Sequence, residues 1–116
     1  MEPKIKRKFR AFPLSLTTAV SSATAIRFDD VAGGAIEVGA SNAAFTTLSV
    51  WASDDGTSAY GRLYKDGQAI SISLSPSTSE ARVYPIPDEC YGVGAVKLVA
   101  DQSQGTAASV VVMLKG

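Results

Sequence analysis

Apolar and polar residues alternate with a period of two along most of the chain, the pattern of half-buried antiparallel strands. It is densest over residues 45–74, which read as two consecutive hairpins around which the other strands are added. Leu48 and Val50 share one face of a first strand, with Thr47, Ser49 and Trp51 on the other. A second strand over 59–65 alternates Tyr60, Arg62 and Tyr64 against Gly61 and Leu63, and a third over 68–74 alternates Ile70, Ile72 and Leu74 against serines. Between the last two lies Asp66-Gly67. A two-residue type I′ turn needs positive φ at both central positions, which Asp-Gly supplies at little steric cost.

Further strands flank this meander. Phe12, Leu14 and Leu16 alternate around Pro13, which cannot donate to a ladder, so this stretch suits an extended arm or an edge strand. Short strands are predicted near 21–28, 35–38 and 80–84, and two more close the chain over 95–100 and 107–114. On the last, Ala108, Val110, Val112 and Leu114 share one face while Val111 and Met113 lie on the other. Both of its faces are therefore expected to be covered, by the domain or by a neighbouring subunit. Pro87 to Tyr91, ended by Gly92, is the one helix candidate, a single turn. About eight short strands separated by turn signals predict an all-β fold, a single antiparallel β-sandwich of jelly-roll or Ig-like type with an extended N-terminal arm. The expected division is an arm over 1–20 and a sandwich domain over 21–116.

Composition narrows the chemistry. The 116 residues are one domain by length. There is no histidine and one cysteine, Cys90, so His-based triads, His metal sites and an internal disulfide framework are excluded. No apolar run is long enough to suggest a membrane span. A basic start followed by an apolar stretch and Ala23-Thr24-Ala25 mimics a secretory signal, but Pro13, Ser15, Thr17 and Thr18 interrupt its apolar part, so we read an arm instead.

Charge changes the picture further. The formal net charge is zero, yet residues 1–10 hold Lys4, Lys6, Arg7, Lys8 and Arg10 against Glu2 alone, a net of +4 that leaves −4 on the rest. A basic arm on an acidic body points to an acidic protein surface, nucleic acid or an anionic membrane.

Each candidate for chemistry competes with a packing role. Adjacent acids at Asp29-Asp30, Asp54-Asp55 and Asp88-Glu89 point apart in a turn, and Asx residues favour turns for their own backbone bonding, so neither paired-carboxylate catalysis nor a calcium site is expected of them. The glycine-rich stretch at Gly92 and Gly94 precedes a strand, whereas a phosphate loop opens a helix. Cys90 has no histidine to activate it and is expected in the core. Trp51, Tyr60, Tyr64 and Tyr84 offer rings that stack on sugar faces, or cross-strand packing.

At Trp51-Ala52-Ser53-Asp54-Asp55-Gly56-Thr57, Leu63-Tyr64-Lys65-Asp66-Gly67, Tyr84-Pro85-Ile86-Pro87, the stretch 92–99 and the closing stretch 110–116, the chain resembles small virion-associated proteins of tailed bacteriophages, of the capsid decoration or cement kind. The resemblance spans roughly residues 30–116. Its motifs are turn and packing residues, so no functional residue carries over. It implies a structural protein, found on the virion surface and in host cytoplasm before assembly; the missing histidine and the lack of an activated nucleophile argue against an enzyme, and no cofactor is expected. Its partners would be the major capsid protein and other copies of itself, with no membrane; nucleic acid, bound through the arm alone, is a third and less favoured reading. The arm residues expected to contact that partner are Lys4, Lys6, Arg7, Lys8, Phe9, Arg10, Phe12, Leu14 and Leu16. The alternative is a carbohydrate-binding or host-adhesion module using Trp51, Tyr60 and Tyr64.

Overall fold

The computed structural model describes residues 9–28, 30–41, 44–54, 59–102 and 109–116. Eleven strands form among them: β1 (Phe9–Pro13), β2 (Ala25–Arg27), β3 (Gly33–Val38), β4 (Thr47–Ser53), β5 (Gly61–Arg62), β6 (Tyr64–Lys65), β7 (Gln68–Ala69), β8 (Ser71–Ser73), β9 (Arg82–Pro85), β10 (Ala95–Ala100) and β11 (Val110–Lys115). Two 3-10 turns, Val20–Ser22 and Asp88–Gly92, complete the set. The second coincides with the turn expected from Pro87 and Gly92.

Sheet 1 runs β1-β11-β3-β9, and sheet 2 runs β2-β10-β4-β5 with β8 also on β4. All ladders between these strands are antiparallel. Alternate residues from both sheets meet in one core, which includes Ile36, Val38, Val110, Val112 and Leu114 from sheet 1 and Ile26, Leu48, Val50, Val96 and Leu98 from sheet 2. The all-β antiparallel fold is therefore the one the alternation predicts.

The meander at the centre is wired differently from the expectation. Arg62 and Gly61 pair with Trp51 and Ala52, while Ser71, Ile72 and Ser73 pair with Ser49, Leu48 and Thr47. Both limbs thus share one edge of β4 instead of lying side by side. They act as one interrupted strand, from which β6 and β7 project as a two-stranded ribbon. Leu63 donates to the Val50 carbonyl at 3.0 Å and Ile70 to the Leu63 carbonyl at 2.8 Å, closing the ribbon's base. At its tip Asp66 and Gly67 have φ of 53° and 80°, the two positive values a type I′ turn requires.

With β5 and β8 counted as one strand, the chain folds back on itself in nested pairs: β4 with β5 and β8, β3 with β9, β2 with β10 and β1 with β11. Rolled into two sheets, this long folded ribbon is the winding of a jelly roll.

The N-terminal stretch is part of that winding. Phe9 to Pro13 pair with Lys115 to Val111, making β1 the edge strand of sheet 1. Leu14 and Leu16 then enter the core at 5% and 7% exposure, and Leu14 donates to the Val110 carbonyl at 2.8 Å. The folded body thus includes Phe9 onward, ahead of the boundary expected at residue 21. Arm and edge strand share one alternating pattern, and only the pairing with β11 distinguishes them.

Candidate interaction surfaces

The outer face of sheet 1 is apolar and uncovered by the rest of the described chain. On β11 the residues alternating with the buried Val110, Val112 and Leu114 are Val111, Met113 and Lys115. In register beside them stand Pro13, Ala11 and Phe9 on one side and Glu37, Ala35 and Gly33 on the other. Val83 and Pro85 on β9 extend the face past β3. Phe9 is 62% exposed and Val83 55%, and among the described residues they and Tyr64 are the large hydrophobic residues most open to water. The second face of β11, expected to be covered, is thus left open by the described residues. A contiguous apolar face on a folded domain marks an interaction site.

The inner side of β3 is closely packed at Gly34. A Cβ at Gly34 would lie 2.8 Å from the Met113 carbonyl oxygen, 2.9 Å from Leu114 Cδ2 and 3.1 Å from Ile86 Cδ1. Glycine there lets Ile86 seat directly on β3.

The arm residues divide into four groups. Lys4, Lys6, Arg7 and Lys8 lie outside the described residues. Arg10 is engaged within the chain: its Nη2 donates to the Arg27 carbonyl at 3.1 Å and to Asp30 Oδ1 at 3.2 Å. This clamps the edge of sheet 1 to the edge of sheet 2. Phe12, partly buried, packs against the core and Leu14 and Leu16 lie buried in it, so these three contribute to this chain's own fold. Phe9 alone of the described apolar arm residues faces solvent broadly.

The aromatic residues considered for sugar binding are dispersed, with Trp51 on the outer face of sheet 2. Trp51 has the Arg62 guanidinium 6.0 Å from its ring centre and donates from Nε1 to Ser49 Oγ at 3.1 Å. Arg62 in turn donates to Ser71 Oγ at 3.1 Å. Lys97, which pairs with Trp51 across the ladder, places Nζ 4.6 Å from the Tyr60 ring centre and donates to the Val20 carbonyl at 3.1 Å. Trp51 and Tyr60 thus meet cations of their own chain. Tyr64 stands apart on the β6–β7 ribbon at 60% exposure, and Tyr84 turns inward, its Oη accepting from the Ser75 amide at 2.9 Å.

A cleft of about 480 Å³ separates β8 and the ribbon from β9 and the second 3-10 turn. Lys65 and Glu89 lie on its two sides, 3.8 Å apart. It arises because β8 and β9 are neighbouring free edges of the two sheets, a juxtaposition set by pairing over long sequence distances and so invisible to local pattern. A smaller hollow of about 340 Å³ lies beside Ser53, Asp54 and Gly92 to Gly94.

Asp30 is held by Arg10 and Glu89 by Lys65; Asp29 and Asp55 lie outside the described residues. Among the described residues no three metal-ligating side chains come together. Cys90 is fully buried, and burial, with the nearby Glu89 charge adding to it, pushes its thiol up to about 12, far from a reactive thiolate. Comparison of the chain with protein-family models, curated proteins and solved structures returns no match.

Proposed function

We propose that the protein is a structural, non-catalytic virion component of the capsid decoration or cement kind, which docks on the acidic surface of a major capsid protein. The observation that supports this reading is the root of the basic segment. Lys4, Lys6, Arg7 and Lys8 run directly into Phe9, and Phe9 is already locked into β1 at a corner of the exposed apolar face. Eight residues reach at most about 29 Å from that point. The four cations are therefore delivered to the surroundings of one fixed corner, where charge contacts and apolar contacts act on the same partner.

With Arg10 committed to Asp30 and Leu14 and Leu16 to the core, the partner contacts fall to Lys4, Lys6, Arg7, Lys8 and Phe9. Burial of Phe9 against a partner would contribute about 1.5–3 kcal/mol if complete, and the charges would speed and orient encounter. Deleting residues 2–8 leaves β1 intact, so the variant retains its fold while losing the cations. Co-sedimentation with capsids is expected to fall sharply, with a dependence on salt that the deletion flattens. Capsid binding equal to that of the full chain would overturn the reading.

A further inference from the structure

The apolar face of sheet 1 carries two charges among its described residues, Lys115 on β11 and Glu37 on β3, and their placement points to what covers it. Lys115 is in register with Gly33 and Glu37 with Val111, so the two lie on either side of the central pair Met113 and Ala35. They stand one strand and four residues apart, about 14 Å by sheet spacing. That is too far for an ion pair within one chain.

A two-fold axis that crosses the strands at Met113 and Ala35 exchanges the two positions. It sets Lys115 of one copy over Glu37 of a second, and Glu37 of the first over Lys115 of the second. Met113 and Ala35 then meet their own counterparts near the axis, and Phe9 and Val83, at opposite corners of the face, are carried over the facing sheet. An isologous interface has this self-complementarity, in which residue i meets j and j meets i. A partner surface of single charge sign would instead bury either Lys115 or Glu37 against a like charge, at a cost in desolvation and repulsion.

We propose that the outer face of sheet 1 is a homodimer interface, formed by a second copy of this chain stacked face to face about that axis. The inference does not rest on the capsid reading: the dimer forms between isolated copies, and capsid docking through Phe9 competes with it for the same face. The sheet's flat footprint is about 300 Å² from its strand spacing, well under the roughly 800 Å² per partner of a standard interface. The dimer is accordingly weak and dependent on concentration.

Sedimentation velocity of the full chain over a wide concentration range tests it, with wild type, Glu37→Lys, Lys115→Glu and the double variant Glu37→Lys/Lys115→Glu. Both positions face outward, and circular dichroism confirms that each variant is folded. Wild type is expected to show a rising dimer fraction. Each single variant places like charges together twice and weakens association roughly tenfold, while the double variant restores it. A wild type that stays monomeric at all concentrations, single variants that match wild type, or a double variant as weak as the singles overturns the proposal.

Discussion

Arg10 on β1 and Asp30 ahead of β3 lie 3.2 Å apart, Nη2 to Oδ1, and the same nitrogen reaches the Arg27 carbonyl on β2. A residue counted among the partner-binding cations is thus a fastener between sheet edges. The pair is exposed, 42% and 44%, so its contribution is expected at about 0.2–1 kcal/mol. A double-mutant cycle of Arg10→Ala and Asp30→Ala in urea denaturation measures it. Hydrogen exchange of the β1 amides should quicken in Arg10→Ala while the β10 amides stay protected; unchanged β1 protection would mean that pairing with β11 holds the strand unaided.

Asp101 makes folding sensitive to acid. Desolvation pushes its carboxyl up, but bonds from the Thr46 and Thr47 amides and the Thr46 hydroxyl outweigh this and hold it below the ordinary value of 3.8. A carboxylate depressed by folding stabilises the fold above its unfolded pKa and loses that stabilisation as the pH falls through its folded one. Asp101→Ala is expected to be less stable than wild type near neutral pH, by under about 1 kcal/mol because the carboxylate is exposed and solvent-screened. The gap from wild type should close progressively below about pH 4, and a gap that persists at lower pH would contradict the assignment.

Gly34 is required by space, since a methyl group there meets the Met113 carbonyl and the Leu114 and Ile86 side chains. Gly34→Ala is expected to destabilise by about 1–3 kcal/mol through overpacking. At Gly61, where nothing stands within 4 Å of a built Cβ, the same change serves as the control. Thermal unfolding of the two variants should separate them clearly.

Cys90 should not react with a water-soluble thiol reagent in the native state, because burial holds it as a neutral thiol. Labelling is expected to follow global unfolding, with a rate that rises with denaturant in step with the unfolding curve. Fast labelling in native buffer would show that the turn Asp88–Gly92 opens locally.

Trp51 separates the carbohydrate-binding alternative from packing. Its indole N–H is spent on Ser49 and its ring is flanked by Arg62. Trp51→Ala is expected to lose about 2 kcal/mol of stability, less than the 3–5 of a fully buried aromatic, with no sugar-specific signal for the wild type on a glycan array. A reproducible glycan signal abolished in a folded Trp51→Ala protein would favour the alternative.

The class of fold was legible because alternation is local: Ile70, Ile72 and Leu74 against serines admit little but a strand, and Asp66-Gly67 announces its own turn. The wiring was not. That residues 61–62 and 71–73 share an edge of β4 depends on which partner each limb prefers, and nothing within either limb encodes it. Leu14 and Leu16 show the same limit, since an alternating stretch reads alike as an arm on a neighbour or as a strand in its own sheet. The apolar face of sheet 1 was visible in part, as Val111 and Met113 opposite the core side of β11. Its extent needed the register that sets Ala11, Ala35, Val83 and Pro85 beside them.

The ribbon of β6 and β7 separates two kinds of variation. Because β5 and β8 are each anchored to β4 by their own register, residues added to both limbs of the ribbon in equal number lengthen the projection and leave Ile72 and Leu74 in the core. The sandwich can thus carry a longer, shorter or chemically different projection at this point without being redesigned, which makes it a natural place for grafting a foreign peptide.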